Sequence, residues 1–549
     1  MRLRGAALAV VLTGSVLTGV AAASAPAGAA ANPAITIRAI DREGKLVAVT
    51  ASLQSPVISP TGIDETLTSA HPTRVPPGVY NIAAWIQEPN GNAETLADRE
   101  LVVTRSATVT FDARKGRLIR FVVNDPTVAQ DNLLAEPYSP KGWDAFDGYG
   151  GPSPSAVYAV PGTMAPGYYL SLEADLIRPH EFLSPVEYVI VRQLKGVIPS
   201  NLTFHVSKAD LASDHVTVKA IDPGQSGGVA FQPIVDQNPG DLPALPFGQW
   251  AIPPFSVEFH FTPGYAWESQ TMSGTDNLND LPVLGVHQYS QTFDNATFGP
   301  SPQFGPDVAG NQIQTPEPFG DYLFTDPTQQ PMTSFGMGVS SGQVWLYEGS
   351  KLLAHKVDGT ISATISATPH WYTLSAQASR DPGAVLWKSE TLSFNFQAQA
   401  NGNSPDTFWP QIIPSGLSLR NAARHGTRTA VRIYFNDGGN NLSAHGVRVW
   451  ASDNGGKSWL ALHVSQSGPH WTAIVTNPGG PGYVGLLVNP AGTSDTIYIG
   501  VWRFARGVGG QARWRGRQVI EAGGGLTVEV AGNGIPSGFQ VSGYQLTLP

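Results

Sequence analysis

Cysteine is absent from all 549 residues, charged side chains make up only 14% of them, and methionine occurs five times. Without cysteine no disulfide can staple a small domain, so stability must come from cores large enough to outweigh chain entropy. Past the first two dozen residues, no apolar run approaches the ~18–20 residues that a membrane-crossing helix needs. Lysine and arginine number 33 against 42 aspartates and glutamates, a formal charge of −9. Phosphate neutralisation needs clustered cations, so this balance speaks against a nucleic-acid partner. Helical i, i+3, i+4 spacing is also scarce, and the best short candidate for a helix is Val128–Ala135.

What is present is a turn-rich, foldable chain with 41% hydrophobic residues, 60 glycines and 45 prolines. At its start, Arg2 and Arg4 precede an apolar stretch from Ala6 to Ala23, and small residues continue through Ala31. A charged n-region, an apolar h-region and an A-x-A exit predict a secretory signal peptide over residues 1–31, with Ala27-Gly28-Ala29 or Ala29-Ala30-Ala31 as the cleavage site. Its removal takes the formal charge from −9 to −11. The expected product is secreted and extracellular, with no lipid-modified cysteine and no membrane span.

Period-two alternation recurs along the chain, as in Ile35/Ile37/Ala39, Val109/Phe111, Tyr372/Leu374/Ala376, Leu392/Phe394/Phe396, Trp471/Ala473/Val475 and Leu526/Val528/Val530. Polar residues such as Thr36, Arg38, Thr110, Ser393 and Asn395 fill the gaps, the mark of strands with one face on a core and one in water. Turns rich in Gly, Pro, Asn and Asp every ~8–12 residues predict an all-β chain of consecutive antiparallel β-sandwich domains. Residues 34–116 read as a first sandwich, in which Pro76-Pro77-Gly78 turns the chain into a strand at Val79. Residues 117–275 read as a β-rich domain, 276–403 as a sandwich, 404–499 as another, and 500–549 as a Gly-rich tail with one strand. No fixed-period repeat is visible, which weighs against a propeller or solenoid.

Ser452-Asp453-Asn454-Gly455-Gly456-Lys457-Ser458-Trp459 is the sharpest local pattern, and it resembles the Asp-box hairpin of sialidase propellers with Asn454 in the Asp position. A side-chain amide capping its own turn over a packed Trp459 is a structural device, and a propeller needs several copies where one is found. The twelve histidines form no zinc motif; only His463 and His470 lie close in sequence. Asp437-Gly438-Gly439-Asn440-Asn441 is oxygen-rich but lacks the ordered acids of a calcium loop. Gly507-Val508-Gly509-Gly510 and Gly523-Gly524-Gly525 lack the strand-to-helix setting and the Lys-Ser/Thr ending of a phosphate cradle. Arg503, Arg506, Arg513, Arg515 and Arg517, interleaved with Trp502, Phe504 and Trp514, form the one cationic concentration and read as a solvated strand face. Glu173 with Asp175, and Glu258 with Glu268, are acids near strands whose use in glycoside hydrolysis depends on a separation that sequence does not display. Fragments of subtilase motifs also occur, at His425-Gly426-Thr427, Gly492-Thr493-Ser494 and Gly162-Thr163-Met164-Ala165-Pro166. The second continues with Asp495, the third lacks the serine, and no Asp-Ser/Thr-Gly motif accompanies them, so no triad is assembled.

Other stretches, taken in order, resemble the long non-catalytic region that follows the protease domain in secreted actinobacterial subtilisin-like serine peptidases. They include Ile35 to Arg42, Pro77-Gly78-Val79-Tyr80, Val109 to Lys115, Ser207 to Leu211, Phe298-Gly299-Pro300, Leu346 to Gly349, Tyr372-Thr373-Leu374 with Arg380, Glu390-Thr391, Ser452 to Trp459, and Gly482-Tyr483-Val484. The likeness spans roughly residues 34–487, and the Arg/Trp/Gly tail departs from it. Residues 34–116 are also similar to carboxypeptidase-regulatory-like, transthyretin-type sandwiches. With the first sandwich directly behind the leader, the resemblance carries over no catalytic residue and implies an accessory protein without its enzyme. The expectation is therefore a secreted, non-catalytic accessory or binding protein that uses no cofactor or metal. Its partner is an extracellular or cell-wall polymer, or another exported protein. The alternatives are a divergent secreted hydrolase acting on polysaccharide, and a partner of a separately encoded subtilisin-like protease. The 51 aromatics serve mostly as core, so sequence alone names no binding residue.

Overall fold

The computed structural model describes residues 31–55, 64–138, 156–220 without 182, 227–234, 247–295 without 273–275 and 283–285, 305–315, 333–335, 339–380 without 358, 389–405, 409–436, 446–479 without 455–457, 482–491 and 498–505, plus strand pairs at 520–521 and 526–527. The signal-peptide region lies outside the described residues. So do the Asp437–Asn441 turn, both glycine clusters and the basic run beyond Arg503.

The fold is all-β, a succession of sheets packed as sandwiches, and two short 3-10 turns, Ala113–Lys115 and Lys208–Asp210, are the helical elements among the described residues. In the first unit, Ala34–Ile40 runs parallel to Ala107–Asp112 and antiparallel to Leu46–Val47 and Thr73–Arg74. This small sheet lies over a six-stranded one ordered Asp64–Thr68, Thr50–Gln54, Gly78–Gln87, Ala93–Val103, Ala156–Ala159, Arg117–Leu118. The alternation read from sequence points Ile35, Ile37, Ala39, Val109 and Phe111 into one core with Leu53, Ile82 and Ile86 of the opposing sheet. Tyr80, after the Pro76-Pro77-Gly78 turn, donates its hydroxyl to Pro76 O at 2.9 Å and ties the turn to the strand.

The second unit is built on a six-stranded sheet ordered Ala129–Tyr138, Tyr169–Ile177, Val186–Lys195, Phe255–Phe261, Ala212–Val218, Gln288–Phe293. One face packs Leu170, Leu172, Ala174, Tyr188 and Ile190 against Ala83 and Leu96 of the first unit. The other face packs Val189, Val191, Val216, Phe259 and Phe261 in one cluster with Phe231 and Trp267 of a five-stranded sheet. Being covered on both sides, Tyr169–Ile177 is buried at nearly every position, a pattern that single-face alternation does not anticipate. The expected short helix at Val128–Ala135 is instead the start of the strand Ala129–Tyr138, paired with Tyr169–Ile177. Its neighbouring apolar residues Leu133 and Leu134 serve opposite faces of the sheet, and that doubling mimics helical spacing.

Beyond this, a sheet of Lys351–Val357, Val339–Glu348, His370–Arg380 and Ser389–Ala398 is joined through its core to a three-stranded sheet of Asp307–Ala309, Gln312–Gln314 and Ser362–Thr364. The last sandwich has Trp409–Pro414, Arg428–Asn436, His470–Thr476 and Val464–Ser467 in one sheet. The other holds Ala422–Arg424, Tyr498–Ala505, Gly482–Ala491, Gly446–Ser452 and Leu460–Ala461. Antiparallel pairings dominate, and parallel ones such as Ala422–Arg424 on Tyr498–Ala505 bring sequence-distant strands together.

A polar knot ties the last sandwich to the second unit. Asn421 is fully buried with a left-handed backbone, φ 52°. Its Nδ2 donates to Asp294 O at 2.7 Å and to Ala220 O at 3.2 Å. Beside it, Ala220 N donates to Leu419 O at 2.9 Å, and Lys219 Nζ donates to Asn295 Oδ1 at 2.6 Å.

Candidate functional site

Register decides which of the sequence's acids meet. Glu173 lies between Leu134 and Val191 on its two neighbouring strands, and Asp175 between Asn132 and Val189. Leu134, Val189 and Val191 belong to the core between the two sheets of the second unit, so Glu173 and Asp175 face that side. Glu136 and Glu187, two residues from Leu134 and Val189 on their strands, share the face. All four carboxyls are buried, none more than 3% exposed. Asn132 Nδ2 donates to Asp175 Oδ2 at 3.4 Å, and Glu187 hydrogen-bonds Asp175, whereas Glu173 Oε1 and Asp175 Oδ1 meet no donor.

The electrostatic result is an array that retains protons. Burial, then the charges of Asp175 and Glu136, pushes the Glu173 carboxyl well above the usual range. Burial raises Asp175 to about 7, reinforced by Asp131 and opposed by the hydrogen bonds from Glu187 and Asn132. Asp175 and Glu187 are two carboxyls in hydrogen-bond contact, with no cation among the influences on Asp175, and must hold a proton between them. Glycoside hydrolysis needs a pair of carboxyls flanking a bond that substrate can present, and these are enclosed. Glu258 does not join them: it alternates with Val257 and Phe259, faces the opposite side of the sheet, and meets His215 Nδ1 at 3.4 Å. The side chain of Glu268 lies outside the described residues. Among the described residues no group of three His, Asp or Glu is placed to hold a metal ion.

Two further buried acids were not visible in the sequence. Asp98 accepts from Asn81 Nδ2 at 2.6 Å, while Asn81 Oδ1 accepts from Ala165 N at 3.0 Å, which joins the first unit to the turn after Gly162–Thr163. Burial lifts Asp98 to about 7. Asp214, held by Gln291, is lifted by burial to about 6. Neither can be found from spacing, because both lie on otherwise ordinary strands and are enclosed by distant segments.

The motif fragments resolve into structural roles. Asn454 Oδ1 accepts from Ser458 N at 3.0 Å, its Nδ2 donates to Ser458 Oγ at 2.6 Å, and Trp459 is buried next to this turn. Replacement of Asn454 by Ala is expected to cost about 1 kcal/mol in denaturant unfolding, by loss of the turn's internal bonds. His425 is exposed in a turn whose Gly426 has φ 66°. Buried Asn477 braces that corner through Arg424 O at 2.8 Å and Thr429 Oγ1 at 3.0 Å. Met164 and Ala165 are core, and Gly492-Thr493-Ser494 lies outside the described residues.

Large aromatics are presented to solvent on one sheet. In His370–Arg380, Tyr372, Leu374 and Ala376 point into the core, so Trp371 points out and is 53% exposed. In Val339–Glu348, Val344 and Leu346 point in, so Trp345 points out and stacks on His355 of the next strand, with ring centroids 5.1 Å apart and planes 4° from parallel. His355 Nε2 lies 3.3 Å from Gln343 Oε1, which steadies the imidazole in that orientation.

No protein-family model matches the sequence, and no curated protein matches it. Among solved structures, a mutant Salmonella alpha-2-macroglobulin aligns at 12% identity and TM-score 0.14, over 83% of this chain and 34% of that one. The BSP domain of a biofilm-associated protein aligns at 8% identity and TM-score 0.13, over 84% of this chain and 91% of that one. Escherichia coli alpha-2-macroglobulin activated by porcine elastase gives 9% identity and TM-score 0.12, over 86% and 52%. The chain thus spans about a third of the length of the Salmonella protein, and TM-scores of this size establish no common fold. No helix of the described residues is long and apolar enough to cross a membrane.

Proposed function

We propose that the chain is an exported, non-catalytic binding protein that acts through surface contacts with an extracellular or cell-wall polymer. One contrast carries this reading: the clustered carboxyls that a hydrolase would use are enclosed, whereas indole surface at Trp371 is presented to solvent. A general acid or a nucleophile must reach the bond it breaks, and Glu173 and Asp175 lie beneath the packed face of a sheet. The leader-like sequence pattern over residues 1–31 and the ordered likeness to the region that follows subtilisin-like protease domains support export and an accessory role.

The mature protein is to be incubated with insoluble cell wall, chitin, cellulose and casein, and both sedimentation and released product measured. Sedimentation with one or more of these, without product, is expected. Product release abolished by Glu173→Gln would replace this reading with that of a hydrolase. A stable complex with an exported protease, without polymer binding, would replace it with that of a protease partner.

A further inference from the structure

We infer that the outward face of the four-stranded sheet around Trp345 and Trp371 is a binding site for an uncharged polysaccharide, stacked by its pyranose rings. This deepens the binding reading above and rests on it.

Antiparallel register maps the face. Trp345 lies between His355 on one neighbouring strand and Ser375 on the other, and Tyr347 lies beside Thr373. Trp371 follows Thr373 two residues along the same strand and is paired with exposed Gln397. Outward positions on His370–Arg380 therefore read Trp371, Thr373, Ser375, with Thr373 buried and Ser375 half-buried between an indole at one end and a second indole alongside the other. The three positions span roughly 13 Å along the strand, and neighbouring strands lie ~4.8 Å apart. Small residues beside tall aromatic ones leave a shallow trough. His355 stacks on Trp345 from one neighbouring strand, and Ser375 is the register partner of Trp345 on the other.

The chemistry of the trough selects the ligand. Gln343, Ser375 and Gln397 supply amides and a hydroxyl next to indole surface, and no carboxylate, lysine or arginine is among these outward positions. A sugar ring has an apolar C–H face that packs on an aromatic ring and a rim of hydroxyls that pairs with amides and hydroxyls. A polyanion would find no counter-charge here. Exposed Leu352 and Val357 pair with Tyr347 and Gln343 and border this face on its edge strand, whereas exposed Leu460, on the edge strand Leu460–Ala461 of the last sandwich, lies apart from it and is a group a protein partner would bury.

The test is affinity electrophoresis and tryptophan fluorescence of the full mature chain with hydroxyethyl cellulose, laminarin and galactomannan, and with polygalacturonate as the charged control. Retardation by at least one neutral polymer, with none by polygalacturonate, is expected. Trp345→Ala and Trp371→Ala are each expected to weaken binding about tenfold, while Leu460→Ser leaves it unchanged. Thermal melts of each variant establish that the fold persists, and Trp345→Phe, which keeps a ring, should retain most of the affinity. Binding that survives both alanine variants, or that is stronger for the charged polymer, overturns the site. If the chain sediments with cell wall or protein but Leu460→Ser abolishes it, the polysaccharide site fails and the binding reading stands. If no polymer and no protein is bound, both fail.

Discussion

Raising the pH from 5 to 8 is expected to lower the unfolding temperature of the protein. Asp98 and Asp175 are held near 7 and Asp214 near 6, against an ordinary 3.8, and Glu173 is raised as well. A carboxyl whose folded value lies above its unfolded one keeps a proton that the unfolded chain has already released. Its contribution to stability is full below about pH 4, declines as the pH climbs, and is gone above about pH 7. For Asp98 alone the shift from 3.8 to about 7 corresponds to about 4 kcal/mol. His260 works in the other direction: burial, then the charge of Lys208, pushes it from 6.5 to about 4, so its contribution is present above pH 6.5 and lost as the pH falls toward 4. Four raised carboxyls outweigh one lowered imidazole, which places the stability maximum on the acid side, near pH 4. Thermal melts from pH 4 to 9 check this, and Asp98→Asn should both stabilise the protein at pH 8 and flatten the slope. An unfolding temperature equal at pH 5 and pH 8 would refute the protonated state of these acids.

The second large effect is expected at the knot between the second unit and the last sandwich. Asn421→Ala removes a donor from two carbonyls, Asp294 O and Ala220 O, and forces a residue with a Cβ and no local hydrogen bond into a left-handed backbone. Stranded buried carbonyls and backbone strain together predict a loss of about 3 kcal/mol in denaturant unfolding. Asn421→Gly keeps the backbone conformation and loses only the amide, so it should recover about 1 kcal/mol of that loss. Limited proteolysis should cut near residues 219–220 or 294–295 faster in the alanine variant than in the wild type. Equal stability of the two variants would show that the left-handed backbone carries no strain.

Parity along a strand made much of the fold legible, because a half-buried strand repeats every two residues. Ile35, Ile37 and Ala39 point to the core as their spacing requires, and so do Trp471, Ala473 and Val475. Trp371 was legible in the same way: once Tyr372, Leu374 and Ala376 are assigned inward, the residue before them must face out. It went unread because a tryptophan is ordinarily assigned to a core. The acid array was not legible, since Glu136, Glu173, Asp175 and Glu187 stand on three strands and meet only through a register that no local pattern encodes. The strand Ala129–Tyr138 was misread for a related reason, because burial of both faces erases the alternation by which a strand is known.

The six-stranded sheet of the second unit, clothed on both faces, makes the first two units inseparable. Its inner face is the floor on which the first unit rests, through Ala83 and Leu96, and Ala156–Ala159 reaches back to complete the first unit's sheet. A fragment ending near residue 116 would leave Ala93–Val103 without its neighbour and bare the apolar side of Tyr169–Ile177 in the remainder. The first two units are therefore expected to melt as one body, which includes Thr333–Phe335 at the edge of the five-stranded sheet, and dissection of the chain for binding work belongs outside them.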